Sequence, residues 1–244
     1  MISRSLAHVA AFSLLFLGGC ATSLTSVQPP RDNQLSEAEK QQHWTLLFDG
    51  TSTKGWRGYN KTECPPGWIA EDGCLFRKEG AGDIVTLETY GDFELQADWK
   101  ISPGGNSGIM YLVSEDGQAP YMSGLECQVL DDDKNGDGRN PLTAASSVYA
   151  MYAPQNKHLN PVGEFNHVRI IHVGNHVEHW LNGTKVVECE IDSDDWKARL
   201  AKSKFKAWPK YGTNHAGHID LQDHGNLVWF KNIKIRPLTA LPSP

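Results

Sequence analysis

The sequence predicts an all-β domain, a two-sheet sandwich with one short helix. Three observations carry this. Apolar residues recur mostly with period two rather than 3.6, as in half-buried strands. The alternating runs are joined by short turns such as Gly174-Asn175 and Asn182-Gly183, and Asn-Gly readily takes the left-handed backbone of a tight hairpin. The 244 residues include 23 glycines, 13 prolines and eight tryptophans, a turn-rich and aromatic composition with ample apolar material for a core. With 29 acidic against 23 basic residues and no basic stripe, a nucleic-acid partner is not expected.

Residues 1–19 read as a lipoprotein signal peptide. Arg4 and His8 precede an apolar run from Val9 to Leu17, too short for a permanent membrane span, which closes on Leu17-Gly18-Gly19-Cys20. The ending resembles a bacterial lipobox, which implies a lipid on Cys20; the plainer alternative is an ordinary signal peptide with an incidental cysteine. Ala21 after the cysteine implies, by the same resemblance, a cell-envelope protein anchored in the outer membrane and facing the periplasm. Residues 20–43 are polar and lack an apolar period, so they read as lipidated cysteine and tether, with a short helix over Ser36–Gln42. Export exposes the remaining cysteines to an oxidising compartment, where Cys64 and Cys74, flanking a Pro-Gly-rich loop, are the better disulfide pair. Cys127 and Cys189 lie in apolar stretches and read as buried thiols.

The folded domain is expected over 44–238, with 239–244 as a tail. Phe93, Leu95, Ala97 and Trp99 alternate with Glu94, Gln96, Asp98 and Lys100. Asn106 to Val113 and Leu125 to Leu130 behave alike. His167 to Val173, His176 to Leu181 and Thr184 to Ile191 form three strands joined by the two tight turns. A helix follows, with Ser193 as N-cap and Asp194, Asp195, Trp196 and Leu200 within it. Ile219 to Leu221 and Leu227 to Ile235 complete a set of about a dozen short strands, the count of a sandwich. Where one sheet is strongly curved, its outer face is a groove, and groove residues are those that alternate with core residues.

That parity gives the candidate site. In Gly124-Leu125-Glu126-Cys127-Gln128-Val129-Leu130-Asp131 the apolar residues face the core, leaving Glu126 and Gln128 side by side on the other face. A carboxylate and an amide so placed suit sugar hydroxyls or proton transfer. In Gly217-His218-Ile219-Asp220-Leu221-Gln222-Asp223-His224-Gly225, Ile219 and Leu221 look like core, which puts His218, Asp220 and Gln222 opposite and Asp223-His224-Gly225 in a strand-end turn. His167 and Arg169 share a face; the planar donors of Arg169 suit a carbonyl or enolate, and a structural salt bridge is the plainer reading. His179 sits in period with apolar neighbours, where a satisfied core histidine is as natural as a catalytic one. Asp131, Asp133, Asn135 and Asp137 alternate around Gly136 like the start of a calcium loop, but Leu142 stands where the bidentate Glu belongs. There is no phosphate-cradling loop, no His-Glu-x-x-His and no Gly-x-Ser-x-Gly, so nucleotide chemistry and serine hydrolysis drop away.

Several segments occur in an order that resembles one family. They are Phe48-Asp49-Gly50-Thr51 with Gly55-Trp56, Gly105-Asn106-Ser107-Gly108-Ile109, the 124–131 stretch, Gly163-Glu164-Phe165-Asn166, His179-Trp180-Leu181-Asn182-Gly183 and Ile219-Asp220-Leu221-Gln222-Asp223-His224-Gly225. This pattern resembles the 3-keto-disaccharide hydrolase domain, also described as 3-keto-glucoside 1,2-lyase and 3-keto-2-hydroxyglucal hydratase, over about residues 44–238. Phe165 stands where a Trp is usual, and the Asp-rich 131–139 loop is a second departure. The resemblance implies a concanavalin-like jelly roll and a substrate whose C3 ketone acidifies the C2 hydrogen. A base removes it, the C1 substituent leaves by β-elimination, and water adds to the unsaturated sugar. The residues on hand for this are Glu126 or His179 as base, Arg169 for the developing oxyanion and His224 as acid. Asn106, Gln128, Gln222 and Asp223 are placed to hold hydroxyls. A divalent metal, calcium in the Asp-rich loop or a catalytic transition metal, is a further candidate. The family logic also implies a partner dehydrogenase that makes the 3-keto substrate. Two rivals stay open: an ordinary jelly-roll glycosidase using Glu126 and Asp131, and a non-catalytic carbohydrate-binding module.

Overall fold

A computed structural model describes residues 31–238. The signal peptide, Cys20 and the 239–244 tail lie outside the described residues. In chain order the elements are α1 (Glu37–Gln41), β1 (Thr45–Leu46), β2 (Trp56–Gly58), β3 (Trp68–Glu71), β4 (Cys74–Arg77), β5 (Ile84–Thr86), β6 (Phe93–Ile101), β7 (Asn106–Val113), β8 (Leu125–Leu130), β9 (Asn166–Val173), β10 (His176–Leu181), β11 (Thr184–Glu190), α2 (Asp194–Lys202), β12 (His218–Leu221) and β13 (Val228–Pro237). The larger sheet runs β11-β10-β9-β6-β13-β4-β3, with β1 added against β13; the smaller runs β2-β5-β12-β7-β8.

The period-two reading places the inner faces. Leu95, Ala97 and Trp99 of β6, Val168 and Ile170 of β9, and Val177 and Leu181 of β10 meet Ile109 and Tyr111 of β7, Leu125, Cys127 and Val129 of β8, and Ile219 and Leu221 of β12 in one buried cluster. Each Val, Leu or Ile side chain among these contributes about 1.5–3 kcal/mol by leaving water. The helix starts where expected: the Ser193 hydroxyl accepts from Trp196 N at 3.1 Å. Trp196 then anchors α2 in an aromatic column, stacking on Tyr152 at 6.1 Å and on Tyr211 at 5.9 Å, with Phe205 on Tyr211 at 3.9 Å. Gly212 lies against this column with φ +66°, where a Cβ would come within 2.6 Å of the Trp196 ring.

Two expectations are corrected. The tether does not extend to residue 43. Asn33 and Asn232 exchange backbone-to-side-chain hydrogen bonds of 2.6 and 2.8 Å, Lys231 pairs with Asp32 at 2.7 Å, and Lys234 pairs with Glu39 of α1. A polar segment without apolar period is held here by polar partners on the outer face of β13. Composition does not reveal such docking. The Cys64–Cys74 disulfide does not form: Cys64 is a half-buried thiol, Cys74 a buried one, and Cys127 and Cys189 are free as well. Cys74 begins β4, whose pairing with β3 and β13 fixes its place independently of Cys64.

Candidate active site

The outer face of the smaller sheet is built by register. Asp220 lies opposite Val85 on one side and Met110 on the other, and Met110 lies opposite Glu126, so these four form one row across β5, β12, β7 and β8. The next row brings Gln222, whose backbone N donates to Gly108 O at 3.0 Å, beside Gly108 and its partner Gln128. Gly108 is a close-approach glycine: a Cβ there would sit 2.4 Å from Glu126 Oε1. The missing side chain is the space into which the Glu126 carboxylate folds.

Above these rows lies a cleft of about 230 Å³, the size for a sugar ring rather than a long chain. Glu126, Gln128, Asn106, Gln222, Asp223 and His224 line it, so six of the expected residues converge. Four further lining residues escaped the sequence reading: Asp83, Tyr121, Tyr149 and Lys204. Three of these four lie in turns between elements, where no period marks them. Asp83 had the one usable signal, an acidic residue directly before the apolar run Ile84-Val85.

The electrostatics follow from burial. Glu126 is buried and its carboxylate has no hydrogen-bond donor among the described residues; burial pushes its pKa up to about 8, with Lys204 opposing and Asp83 and Asp137 reinforcing the shift. Asp83 is raised to about 6, again mainly by burial, while the Asp223 backbone N–H, 2.7 Å from Asp83 Oδ1, restrains the rise. Asp220, fully buried with both carboxylate oxygens unpartnered, is raised well above the usual range. Lys204 is the one lysine or arginine lining the cleft. Ser203 caps its turn, and its ammonium rests 4.4 Å over the Tyr149 ring. The unpartnered buried atoms of the residues that line the cleft, Asn106 Oδ1, Gln128 Oε1 and Gln222 Oε1, are all acceptors. The cleft therefore presents oxygens that await donors.

Other expected residues are placed elsewhere. Asp223 borders the cleft, but its carboxylate accepts from Ala81 N at 2.7 Å, Gly82 N at 2.9 Å and Gly225 N at 2.9 Å and pairs with Arg77 at 2.7 Å. It is a strut that fixes the loop carrying Asp83. His179 faces the inter-sheet core: Nδ1 lies 3.0 Å from Ser146 O and Nε2 2.9 Å from the Tyr111 hydroxyl. The carbonyl requires the proton on Nδ1, so Nε2 accepts, and burial lowers the pKa to about 4. This is the satisfied core histidine, not a base. Arg169 lies on the outer face of the larger sheet, bonded to Glu94 at 2.5 Å and 5.0 Å over the Trp180 ring. It does not reach the cleft.

The Asp-rich loop is a capped turn. Asp131 accepts from Gly104 N, Asp133 N and Lys134 N at 2.6, 3.1 and 3.3 Å, Asn135 from Asp137 N at 3.0 Å, and Asp132 pairs with Lys157. Asp131, Asp133 and Asp137 do not converge. Among the described residues the one His/Cys/Asp/Glu group within ligating distance is His176, Glu178 and Glu188 on the larger sheet, where Lys185 already pairs with both glutamates. With Asp131 so engaged, the Glu126–Asp131 glycosidase pair is also lost. A larger cleft, about 460 Å³, lies between this loop and residues 157–166. Of its four lining acids, Asp131 and Asp132 are held by backbone amides and Lys157, and Asp133 and Glu164 are exposed to solvent, so it offers less chemistry than the Glu126 cleft.

Comparison with known proteins gives the family and the fold. The family model described as 3-keto-alpha-glucoside-1,2-lyase-like domain matches residues 43–236. The chain belongs to that family. Within reach of this 3-keto-alpha-glucoside-1,2-lyase-like domain is a Bacteroides thetaiotaomicron protein named 3-keto-disaccharide hydrolase, 36% identical over 80% of this chain and 78% of its own length. A Parabacteroides distasonis structure, named provisionally as a glycosyl hydrolase, is 39% identical, covers 86% of this chain and all of its own, and superposes with a TM-score of 0.80. A Bacillus subtilis protein with a galectin-like fold, 13% identical over 86% of this chain and 96% of its own, reaches 0.51 and supports the jelly-roll architecture alone.

Proposed function

We propose that this domain cleaves 3-keto-glycosides by elimination and hydration, with net hydrolysis of the glycosidic bond. The observation that carries the reading is the pair Asp83 and Glu126, a half-buried and a buried carboxyl whose environments hold their pKa values apart at about 6 and about 8 in one cleft. Near pH 7 one is ionised and the other neutral, the division of labour that acid–base catalysis needs. Asp83 removes the C2 proton of a sugar oxidised at C3. The C1–O bond breaks, Glu126 donates its proton to the departing oxygen, and the Lys204 ammonium stabilises the enolate oxygen. For hydration the roles reverse: Glu126 takes a proton from water as its oxygen adds to C1, and Asp83 returns the proton to C2. Asn106, Gln128 and Gln222 accept from the sugar hydroxyls, and His224 borders the same cleft. This reading replaces His179 and Arg169 by Asp83 and Lys204, and gives the acid role expected of His224 to Glu126, which is then not the base.

A hard divalent cation suits the same donors, since the unpartnered atoms are carboxylate and amide oxygens. Glu126, Gln128 and Gln222 would hold it, with Glu126 then ionised rather than the proton donor, and it would supply Lewis-acid polarisation of the ketone. We further propose that the protein is exported as a lipoprotein on Cys20, anchored in the outer membrane facing the periplasm, and that a dehydrogenase supplies its oxidised substrate.

The test is NMR of a 3-keto-glucoside and its unoxidised parent with the full-length protein in D₂O, with and without chelator. Release from the keto form alone, with solvent deuterium at C2, is expected. The rate should rise as Asp83 ionises through about pH 6 and fall as Glu126 ionises through about pH 8. Equal cleavage of the parent, or release without deuterium, overturns the elimination. Loss of rate with chelator and its return with added cation establish the metal.

A further inference from the structure

Among the described residues the exposed large hydrophobic side chains are Leu87, Tyr121, Val162 and Leu227. Tyr121 is the one aromatic among them and the one that lines the catalytic cleft. It stands in the short 3-10 turn Pro120–Met122, ahead of β8. The pairing of β7 with β8 orders the cleft: Gly108 faces Gln128 and Asn106 faces Leu130 on one side of Glu126. Tyr121 precedes β8 and so comes from the opposite side of Glu126. The amide acceptors and the aromatic ring therefore flank the carboxyl that protonates the leaving oxygen.

The ring is held in place rather than loose. Tyr121 makes an edge contact with Trp208, centroids 5.2 Å apart at 67°. Trp208 follows the turn that carries Lys204. The two segments are tied by Gly212 N donating to Ser123 O at 3.0 Å and by the Lys210–Asp116 pair at 2.5 Å. A tyrosine with more than a third of its surface open, fixed at a sugar-sized cleft, gains by stacking on the apolar face of a ring.

We infer that Tyr121 forms the leaving-group subsite and selects glycosides whose aglycone is itself a ring, a second pyranose or an aryl group, over those with a small alkyl aglycone. This rests on the 3-keto-glycoside reading of the cleft. The polar side then holds the oxidised sugar, Glu126 meets the bridging oxygen, and Tyr121 takes the group that departs.

The experiment compares wild type, Tyr121→Ala and Tyr121→Phe on a 3-keto-disaccharide, an aryl 3-keto-glucoside and methyl 3-keto-glucoside. Tyr121→Ala should lower kcat/KM about five- to tenfold on the two ring aglycones, mainly through KM, and less than twofold on the methyl glycoside. Tyr121→Phe, which keeps the ring, should retain wild-type selectivity. Equal loss on all three substrates, or on none, overturns the subsite. A separate arm measures calorimetric binding of the unoxidised disaccharide and of methyl glucoside, neither of which carries the ketone. Weaker binding of the disaccharide alone by Tyr121→Ala supports the subsite even if wild type turns over no keto-glycoside, a result that would overturn the reaction instead. Unchanged or undetectable disaccharide binding in that case overturns both.

Discussion

The outer faces of the two sheets both alternate polar with apolar residues, yet they treat charge in opposite ways. On the larger sheet Glu94 is as buried as Glu126, but it accepts from Arg169 at 2.5 Å, from Arg236 at 2.5 and 2.9 Å and from Gln96 at 3.0 Å. Burial alone would raise its pKa; these donors hold it below the ordinary value. Asp98 likewise meets His167 at 2.6 Å and Asn232 at 2.7 Å. On the smaller sheet Glu126 and Asp220 meet no such donors, and both are raised. Folding gives no reason to bury acceptors without donors, since each costs about 1–3 kcal/mol. A polyhydroxylated ligand supplies the missing donors. One face is complete as folded; the other is completed by what it binds.

Exchanging carboxylates on each face, two at the cleft and one on the larger sheet, tests this most strongly. Glu126→Gln and Asp83→Asn should each lower kcat by about 10²- to 10⁴-fold. Glu126→Gln should also stabilise the fold at high pH. The folded pKa of about 8 lies above the ordinary 4.5, so the wild type loses stability as pH rises from 4.5 to about 8 and does not recover it beyond. Thermal unfolding at pH 9 should show a gain on the order of 2 kcal/mol for the variant, shrinking toward pH 5. Glu94→Gln should do the reverse, keeping activity while losing about 1–3 kcal/mol, because two half-buried guanidiniums lose their counter-charge. An active Glu126→Gln, or an inactive but stable Glu94→Gln, breaks the comparison.

A smaller change probes the geometry that leaves Glu126 unpartnered. Gly108→Ala sets a methyl 2.4 Å from the present position of Glu126 Oε1. The backbone stays in β7, so the carboxyl must turn out of its place. About a tenfold fall in kcat with nearly unchanged Tm is expected, read from steady-state kinetics alongside thermal melts. Full activity in Gly108→Ala would show that the Glu126 position is not the working one.

The sequence carried the parity of each strand well and the identity of each face poorly. Asn106 to Val113, Leu125 to Leu130 and His176 to Leu181 match the strands residue for residue, because alternation is a local property. Glu126, Gln128 and Gln222 followed from it. The same parity put Arg169 outside, correctly, but could not say outside which sheet; that depends on pairing β9 with β6 across many residues. His179 shares the period of Val177 and Leu181 and went with them into the core. Lys204 and Tyr121 arrive on turns whose placement depends on the Trp196–Tyr211–Phe205 column and on the Trp208 contact, long-range packing with no sequence period. The β1 to β5 strands, two to four residues each, were too short for alternation to register.

The weakest expected effect concerns Asp131, at the end of β8, where the two ways of treating charge meet. It lies in the chain's most acidic stretch and five residues from Glu126, yet it belongs with the satisfied group: it is buried and accepts three backbone N–H groups. A calcium loop would leave those oxygens for the ion, whereas a capped turn uses them to close the chain. Asp131→Asn keeps one acceptor oxygen and should cost about 0.5–1 kcal/mol; Asp131→Ala leaves the amides of Gly104, Asp133 and Lys134 without an acceptor and should cost about 1–2 kcal/mol. Both should leave kcat/KM on a 3-keto-glucoside within about twofold, since the carboxylate is not among the cleft's lining groups. Added calcium should leave the Tm of wild type and of both variants unchanged at constant ionic strength. A calcium-dependent rise in wild-type Tm that Asp131→Ala abolishes would move this loop from the complete face to the one that waits for a ligand.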